Sequence, residues 1–287
     1  MKLIRFGEPG KEKTGVIIND VKYDTSAFGS DYDENFFEND GLNRLKAFLN
    51  ENEGKLNVVS DSVRLGAPIS RPSKIVCIGL NYADHAKETN AALPSEPILF
   101  MKASTSFAGP NDDIIIPKNS EKTDWEVELS VVIGKKASYV EEAEADQYIA
   151  GYALHNDVSE RAFQLERNGT WDKGKGCDTF APTGPFLATP DEIDDVNNLR
   201  LWLKVNGEMM QDGTTANLIF KIPFLVSYVS QFMTLLPGDI ISTGTPAGVG
   251  LGFTPPVFLK HGDVVELGID GLGVSKQTVK AYEASRG

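Results

Sequence analysis

Asp124-Trp125-Glu126-Val127-Glu128-Leu129 is the stretch on which the reading of this chain turns. Trp125, Val127 and Leu129 alternate with Glu126, Glu128 and Ser130, which is the period of a β-strand. Residues two apart on a strand share a face, so both glutamates point the same way. Neighbouring carboxylates with no cation between them repel, and one tends to take up a proton. A divalent metal removes that conflict, and oxygen-only ligation suits the hard ions Mg²⁺, Mn²⁺ or Ca²⁺ rather than Zn²⁺. A solvated strand face is the plainer alternative, and the pair alone does not choose between them.

Further chemistry-bearing residues follow the same apolar runs. Asp157 closes the run Tyr148–Asn156. An acid at the end of a buried strand is costly unless paired or coordinated, so it is a candidate third ligand; a helix N-cap is the other reading. His155 shares a face with Asp157 if the strand continues, and it suits a structural or supporting role better than a ligand. Arg161 and Gln164 lie four and seven residues beyond Asp157, on its side if residues 158–167 are helical. Otherwise they belong to an ordinary polar helix face.

His85 and Glu88 are three apart in Gly79-Leu80-Asn81-Tyr82-Ala83-Asp84-His85-Ala86-Lys87-Glu88 and would share one face of a helical turn. A carboxylate beside an imidazole raises its basicity and fixes its tautomer, which suits a general base acting on water. A surface ion pair is the alternative. Lys102 ends the strand-like Ile98–Met101, and Lys175 lies in the glycine-flanked loop Trp171–Gly176. Either could hold a carboxylate or an enolate oxygen beside the metal. The loop Gly244–Gly250 could bring backbone N–H groups and the Thr245 hydroxyl to an oxyanion. No helical pattern follows it, so Gly248, Gly250 and Gly252 are no dinucleotide fingerprint.

Composition narrows the partners. The 287 residues are 41% hydrophobic, enough for a substantial core. Lys and Arg number 28 against 41 Asp and Glu, for a net charge of −13 without a basic run. Nucleic acid and anionic membrane are therefore poor partners, whereas a small anionic substrate can be held by a bound cation and a lysine or two. The N-terminus turns polar too soon for a signal peptide, and no stretch approaches the ~20 apolar residues of a membrane span. Cys77 sits in an apolar run and Cys177 in a glycine-rich loop, which favours a reducing cytoplasm over a disulfide framework.

Residues 1–70 read as a small α+β domain, with strands at Lys2–Phe6, Thr14–Ile18 and Val21–Asp24 and a helix over 41–56. Prolines 68 and 72 mark the boundary to a second domain, 71–287. That domain is strand-rich, with helical spacing over Val140–Asp146 and Lys221–Met233. Many strands and few helices predict a β-rich α+β fold, not a doubly wound sheet.

In order, Gly-Leu-Asn-Tyr-Ala-Asp-His, Asp-Trp-Glu-Val-Glu-Leu, His-Asn-Asp-Val-Ser, Lys175 after Trp171, and Gly-Thr-Pro-Ala-Gly-Val-Gly resemble the fumarylacetoacetate hydrolase family across about Lys74 to Tyr282. The resemblance implies a mixed β-sandwich roll, usually dimeric, with Mg²⁺ or Mn²⁺ on Glu126, Glu128 and Asp157. It implies a lid helix carrying His85 and Glu88, and a pocket lined by Lys102, Gln164, Lys175 and Thr245. Leu80 stands where acylpyruvase-like members have Arg, which brings the chain nearer to the bacterial deoxy-sugar-acid branch. The reaction expected is hydrolysis of a carbon–carbon bond in a 2,4-diketo acid to release pyruvate. Decarboxylation or isomerisation of a 2-keto acid such as oxaloacetate or a catechol-pathway dienoate, and ureidoglycolate cleavage, are the alternatives. A metal-stabilised binding protein without turnover is the non-enzymatic one.

Overall fold

Most of the alternating segments assemble into a ten-stranded mixed sheet, which the computed structural model describes within residues 1–84 and 93–282. Its order is Val21–Asp24, Lys13–Ile18, Lys2–Phe6, Leu187–Ala188, Ile149–Asn156, Val127–Ile133, Ile240–Ser242, Ile75–Gly79 and Ile98–Lys102, with Leu65–Gly66 beside Lys2–Phe6. All neighbours are antiparallel except Ile240–Ser242 and Ile75–Gly79. A second, five-stranded sheet runs Glu208–Thr214, Arg200–Val205, Val264–Ile269, Gly273–Ala281 and Ile114–Ile116. The fold is thus the expected β-rich α+β, with few helices.

The two-residue period of the central strand divides the interior in two. Val127, Leu129, Val131 and Ile133 pack with Leu154, Ile241, Leu203 and Leu267 between the two sheets. Val132, Ala150 and Ile240 face the other way, into a core with Phe36, Phe37 and Leu45 of the helices Glu34–Glu38 and Gly41–Glu51. Because both faces are covered, Val127–Ile133 and Ile149–Asn156 are buried along their whole length. Any polar residue on these strands therefore lacks water and needs a partner inside the protein.

The hydrogen-bonded ladder runs unbroken from the first 70 residues into the rest of the chain, since Lys2 and Leu3 pair with Ala188 and Leu187. Gly151 permits this junction: a Cβ there would lie 2.2 Å from the Ala188 carbonyl oxygen. The helix expected over 41–56 stops at Glu51, where the Asn52 N–H turns back to the Phe48 and Leu49 carbonyls. In place of the helix expected over Val140–Asp146 there is a 3₁₀ segment, Glu142–Tyr148, and the second long helix spans Ile222–Phe232. No helix among the described residues is long and apolar enough to cross a membrane.

Two strands carry no apolar alternation in sequence. Gly273–Ala281 alternates cleanly in burial, but its inward positions include Ser275 and Gln277. Glu208–Thr214 buries only Gln211. Inward polar side chains hide the period from a hydrophobicity pattern. Ile241, fully buried between the sheets, tests the core: Ile241→Ala should cost about 2–5 kcal/mol, read as a lowered midpoint in urea unfolding.

Candidate active site

Strand register creates the site. Glu128 sits opposite His155 and Val127 opposite Asn156, which carries Glu126 across to Asp157. The Asp157 N–H donates to the Glu126 carbonyl at 2.9 Å. The period of two puts Glu126 and Glu128 on one face, and the antiparallel neighbour adds Asp157 to it. One carboxylate oxygen from each of the three lies within 4.8 Å of the others, and all three side chains are buried.

Three anions cannot share such a space uncompensated. Burial, and then the charges of Asp157 and Glu126, push the Glu128 carboxyl well above the ordinary carboxylate range. Its Oε2 accepts from the Ser242 hydroxyl at 2.5 Å and the Gly244 N–H at 2.9 Å. Burial also opposes ionisation of Asp157, but Lys102 and Lys175 outweigh it and hold this carboxyl below its usual range. Lys102 Nζ donates to Asp157 Oδ1 at 2.5 Å and to the Val158 carbonyl at 3.0 Å. Lys175 Nζ bridges Glu126 Oε2 at 2.7 Å and Asp157 Oδ2 at 3.0 Å. Burial would discharge Lys175, yet Asp157 and Glu126 together raise its pKa. Three oxygen donors at this spacing, one driven toward protonation by burial and by the charges of the other two, fit a hard dication.

A second network braces the first. Arg161 reaches Asp124 Oδ2 through Nε at 2.8 Å, Glu126 Oε1 through Nη2 at 2.7 Å and Gln164 Oε1 through Nη1 at 3.0 Å. Asp124 also accepts the N–H groups of Trp125, Gly250 and Leu251, at 2.8, 2.7 and 3.0 Å. Asp124 stands two residues before Glu126, so the same strand period marks it as a member of the acidic row. The site also depends on Asn156, whose Oδ1 accepts the Glu126 N–H, and on Gln211, whose Oε1 accepts that of Val127. Those two contacts join segments far apart in sequence, and no local pattern signals them.

Above the acids lies a cavity of about 220 Å³. Glu126, Glu128, Arg161, Gln164, Lys175 and Thr245 line its polar end. Lys102 does not line it; its amine is fully buried behind Asp157, where it sets that carboxylate's charge. Thr245 does line it, but its hydroxyl donates to the Val127 carbonyl at 2.9 Å and accepts from Gln211 Nε2 at 2.8 Å. Its proton is committed to the backbone, not to an oxyanion. The Gly244, Gly250 and Leu251 N–H groups likewise point at Glu128 and Asp124. Gln164 accepts from Arg161 through Oε1, which leaves its amide N–H₂ as the group to offer.

Asp157 does not cap the next helix: Arg161–Leu165 is capped by Glu160, whose side chain accepts the Ala162 N–H. His155 bonds Thr183 Oγ1 through Nδ1 at 2.8 Å, and its buried Nε2 has no partner among the described residues. Burial lowers the pKa of this imidazole to about 3, so it stays neutral. His85 and Glu88 lie outside the described residues.

A sequence profile of the fumarylacetoacetate (FAA) hydrolase C-terminal domain matches residues 74–280. A relative from Burkholderia multivorans, provisionally named a hydrolase, is 50% identical over 283 residues, covering 98% of this chain and 99% of its own. Two solved structures of enzymes are similar to it over nearly their whole length. One is 5-carboxymethyl-2-hydroxymuconate delta-isomerase from Mycobacterium smegmatis, at 33% identity and a TM-score of 0.76, covering 99% of this chain and 100% of that one. The other is maleylpyruvate hydrolase from Sphingobium sp. SYK-6, solved with manganese(II) and pyruvate, at 28% identity and a TM-score of 0.82, with the same coverage. The profile match across the acidic row, the lysine and the glycine loop, with a half-identical relative along the whole chain, shows that this protein belongs to the fumarylacetoacetate hydrolase family.

Proposed function

We propose that the protein is a Mg²⁺- or Mn²⁺-dependent hydrolase that cleaves a carbon–carbon bond of a 2,4-diketo acid and releases pyruvate. The observation that carries this is the convergence of Glu126, Glu128 and Asp157 beneath a cavity that also presents Lys175. The manganese and pyruvate bound to the Sphingobium maleylpyruvate hydrolase support the same choice of ion and product. A bound dication would supply Lewis-acid polarisation of the α-keto acid and balance the charge of the three carboxylates.

The chain's own groups divide the remaining work. Gln164, its carbonyl held by Arg161, offers N–H donors to a substrate oxygen. Lys175 lines the cavity as a fixed cation, its ammonium 5.0 Å from the Phe100 ring centroid. It is placed to offset the negative charge that develops on the pyruvate enolate oxygen. Lys102 keeps Asp157 ionised from behind. Arg161 and Asp124 fix Glu126 and the glycine loop relative to each other. The base role falls to His85 with Glu88, read from their spacing in the sequence. Water deprotonated there attacks the 4-carbonyl and the C3–C4 bond breaks. Its electron pair passes to the enolate, and protonation at C3 completes pyruvate beside a carboxylic acid.

Pyruvate release from 2,4-diketo acids should require Mg²⁺ or Mn²⁺ and stop with a chelator. Glu126→Gln should lose metal uptake by calorimetry, together with about 100-fold or more of turnover. Equal rates with and without chelator would exclude the scheme. The two lysines should separate. Lys175→Met should retain metal but lose about 10²–10³ in kcat, as for removal of one oxyanion donor. Lys102→Met, which strips Asp157 of its rear cation, should weaken metal binding by about 10–100-fold. Rate measurements at saturating metal, set beside calorimetric titrations, distinguish the two effects.

A further inference from the structure

The far wall of the cavity is built differently from its floor. Leu80, Phe100, Leu165, Trp171, Val249 and Leu251 line it. Phe100 and Trp171 meet edge to face, with ring centroids 5.3 Å apart. Gly79 leaves room for the indole, because a Cβ there would lie 2.5 Å from Trp171 Cζ3. Leu80 holds a left-handed backbone, φ 53°, which is uncommon for a residue other than glycine. It is pinned by the next residue: Asn81 donates to the Phe220 and Thr243 carbonyls and accepts the Phe220 N–H. A strained backbone that delivers an apolar side chain to the wall marks that side chain as part of the site's design.

Every cation that the described residues bring near the cavity is already engaged. Lys102 is held by Asp157, and Lys175 by Glu126 and Asp157. Arg161 spans Asp124 and Glu126. The backbone N–H groups of Gly244, Gly250 and Leu251 also point at carboxylates. A substrate carboxylate at the metal end would have the metal as partner. A second carboxylate against the far wall would lose its hydration and find no unengaged fixed positive group among the described residues in return. The chain's net charge of −13 adds no attraction for it. The volume, about 220 Å³, falls below the ~300–1,000 Å³ of sites for larger ligands and suits a short acid.

We infer that this site selects α-keto acids with one carboxylate and a short uncharged tail and turns away those with a second, terminal carboxylate. This rests on the keto-acid reading above and names the substrate class within it. An uncharged hydroxyl on the tail is tolerated, since an apolar wall rejects it only weakly compared with a full charge.

The inference is tested by binding rather than by turnover. The Mn²⁺-loaded protein is titrated calorimetrically with 2-oxohexanoate and with 2-oxoheptanedioate, which differ by one terminal carboxylate. Neither has the 4-carbonyl that cleavage needs. The monoacid should bind at least about tenfold more tightly. Equal or tighter binding of the diacid overturns the inference. Leu251→Lys on the wall, and Leu165→Lys at the half-exposed rim, should each shrink the gap to about threefold or less. A gap unmoved by both lysines also overturns it, because the wall is then not the discriminator. Failure to bind either acid overturns the keto-acid reading and the inference together. Pyruvate release from 2,4-dioxohexanoate is scored separately: its absence removes hydrolysis while a monoacid preference in binding still stands.

Discussion

Charge compensation inside a sealed interior is the constraint around which this protein is organised. Asp124, Glu126, Glu128 and Asp157 are buried together with Lys102, Arg161 and Lys175. Removing one partner of a buried ion pair costs about 3–5 kcal/mol, because the survivor is left without water or counter-charge. Four acids against three bases leave one negative charge over. Glu128 carries the imbalance, through a strong tendency to hold a proton. A dication would displace that proton and turn the excess positive by one.

The sheet provides what this arrangement demands. A strand exposed on one face would let water screen the acids and would fix neither their spacing nor their protonation. Here the five-stranded sheet closes one side and the N-terminal helices close the other. The ladder between Val127–Ile133 and Ile149–Asn156 holds the carboxylates in place through backbone bonds. The first 70 residues therefore contribute to the site without touching it. Their helices cover the face of the sheet that carries the acids, further along the strand where Val132 points.

What could be read from the sequence follows the range of each interaction. Glu126 and Glu128 were legible because the strand period is local, and Asp157 because a buried run ends on it. That Asp157 lies across from Glu126 is a matter of register, which the pattern alone leaves open. Lys102 and Lys175 both appear in sequence as isolated cations near apolar runs; only the tertiary packing separates the one behind Asp157 from the one at the cavity. Thr245 illustrates the same limit. Its place in a glycine loop points to the site, but the Val127 carbonyl that takes its proton lies far away in sequence. The strands Glu208–Thr214 and Gly273–Ala281 leave no such mark in the sequence. Gln211 and Gln277 face inward to satisfy other groups, and polarity at inward positions erases the hydrophobic period.

The glycine loop has one more consequence. Its Gly244 and Gly250 amides are tied to Glu128 and Asp124 rather than to solvent or ligand. An amide hydrogen in such a bond trades with solvent deuterium only when the bond opens. Those two positions are thus built-in reporters of the acidic cluster, each timing how often a carboxylate lets go of the backbone that steadies it.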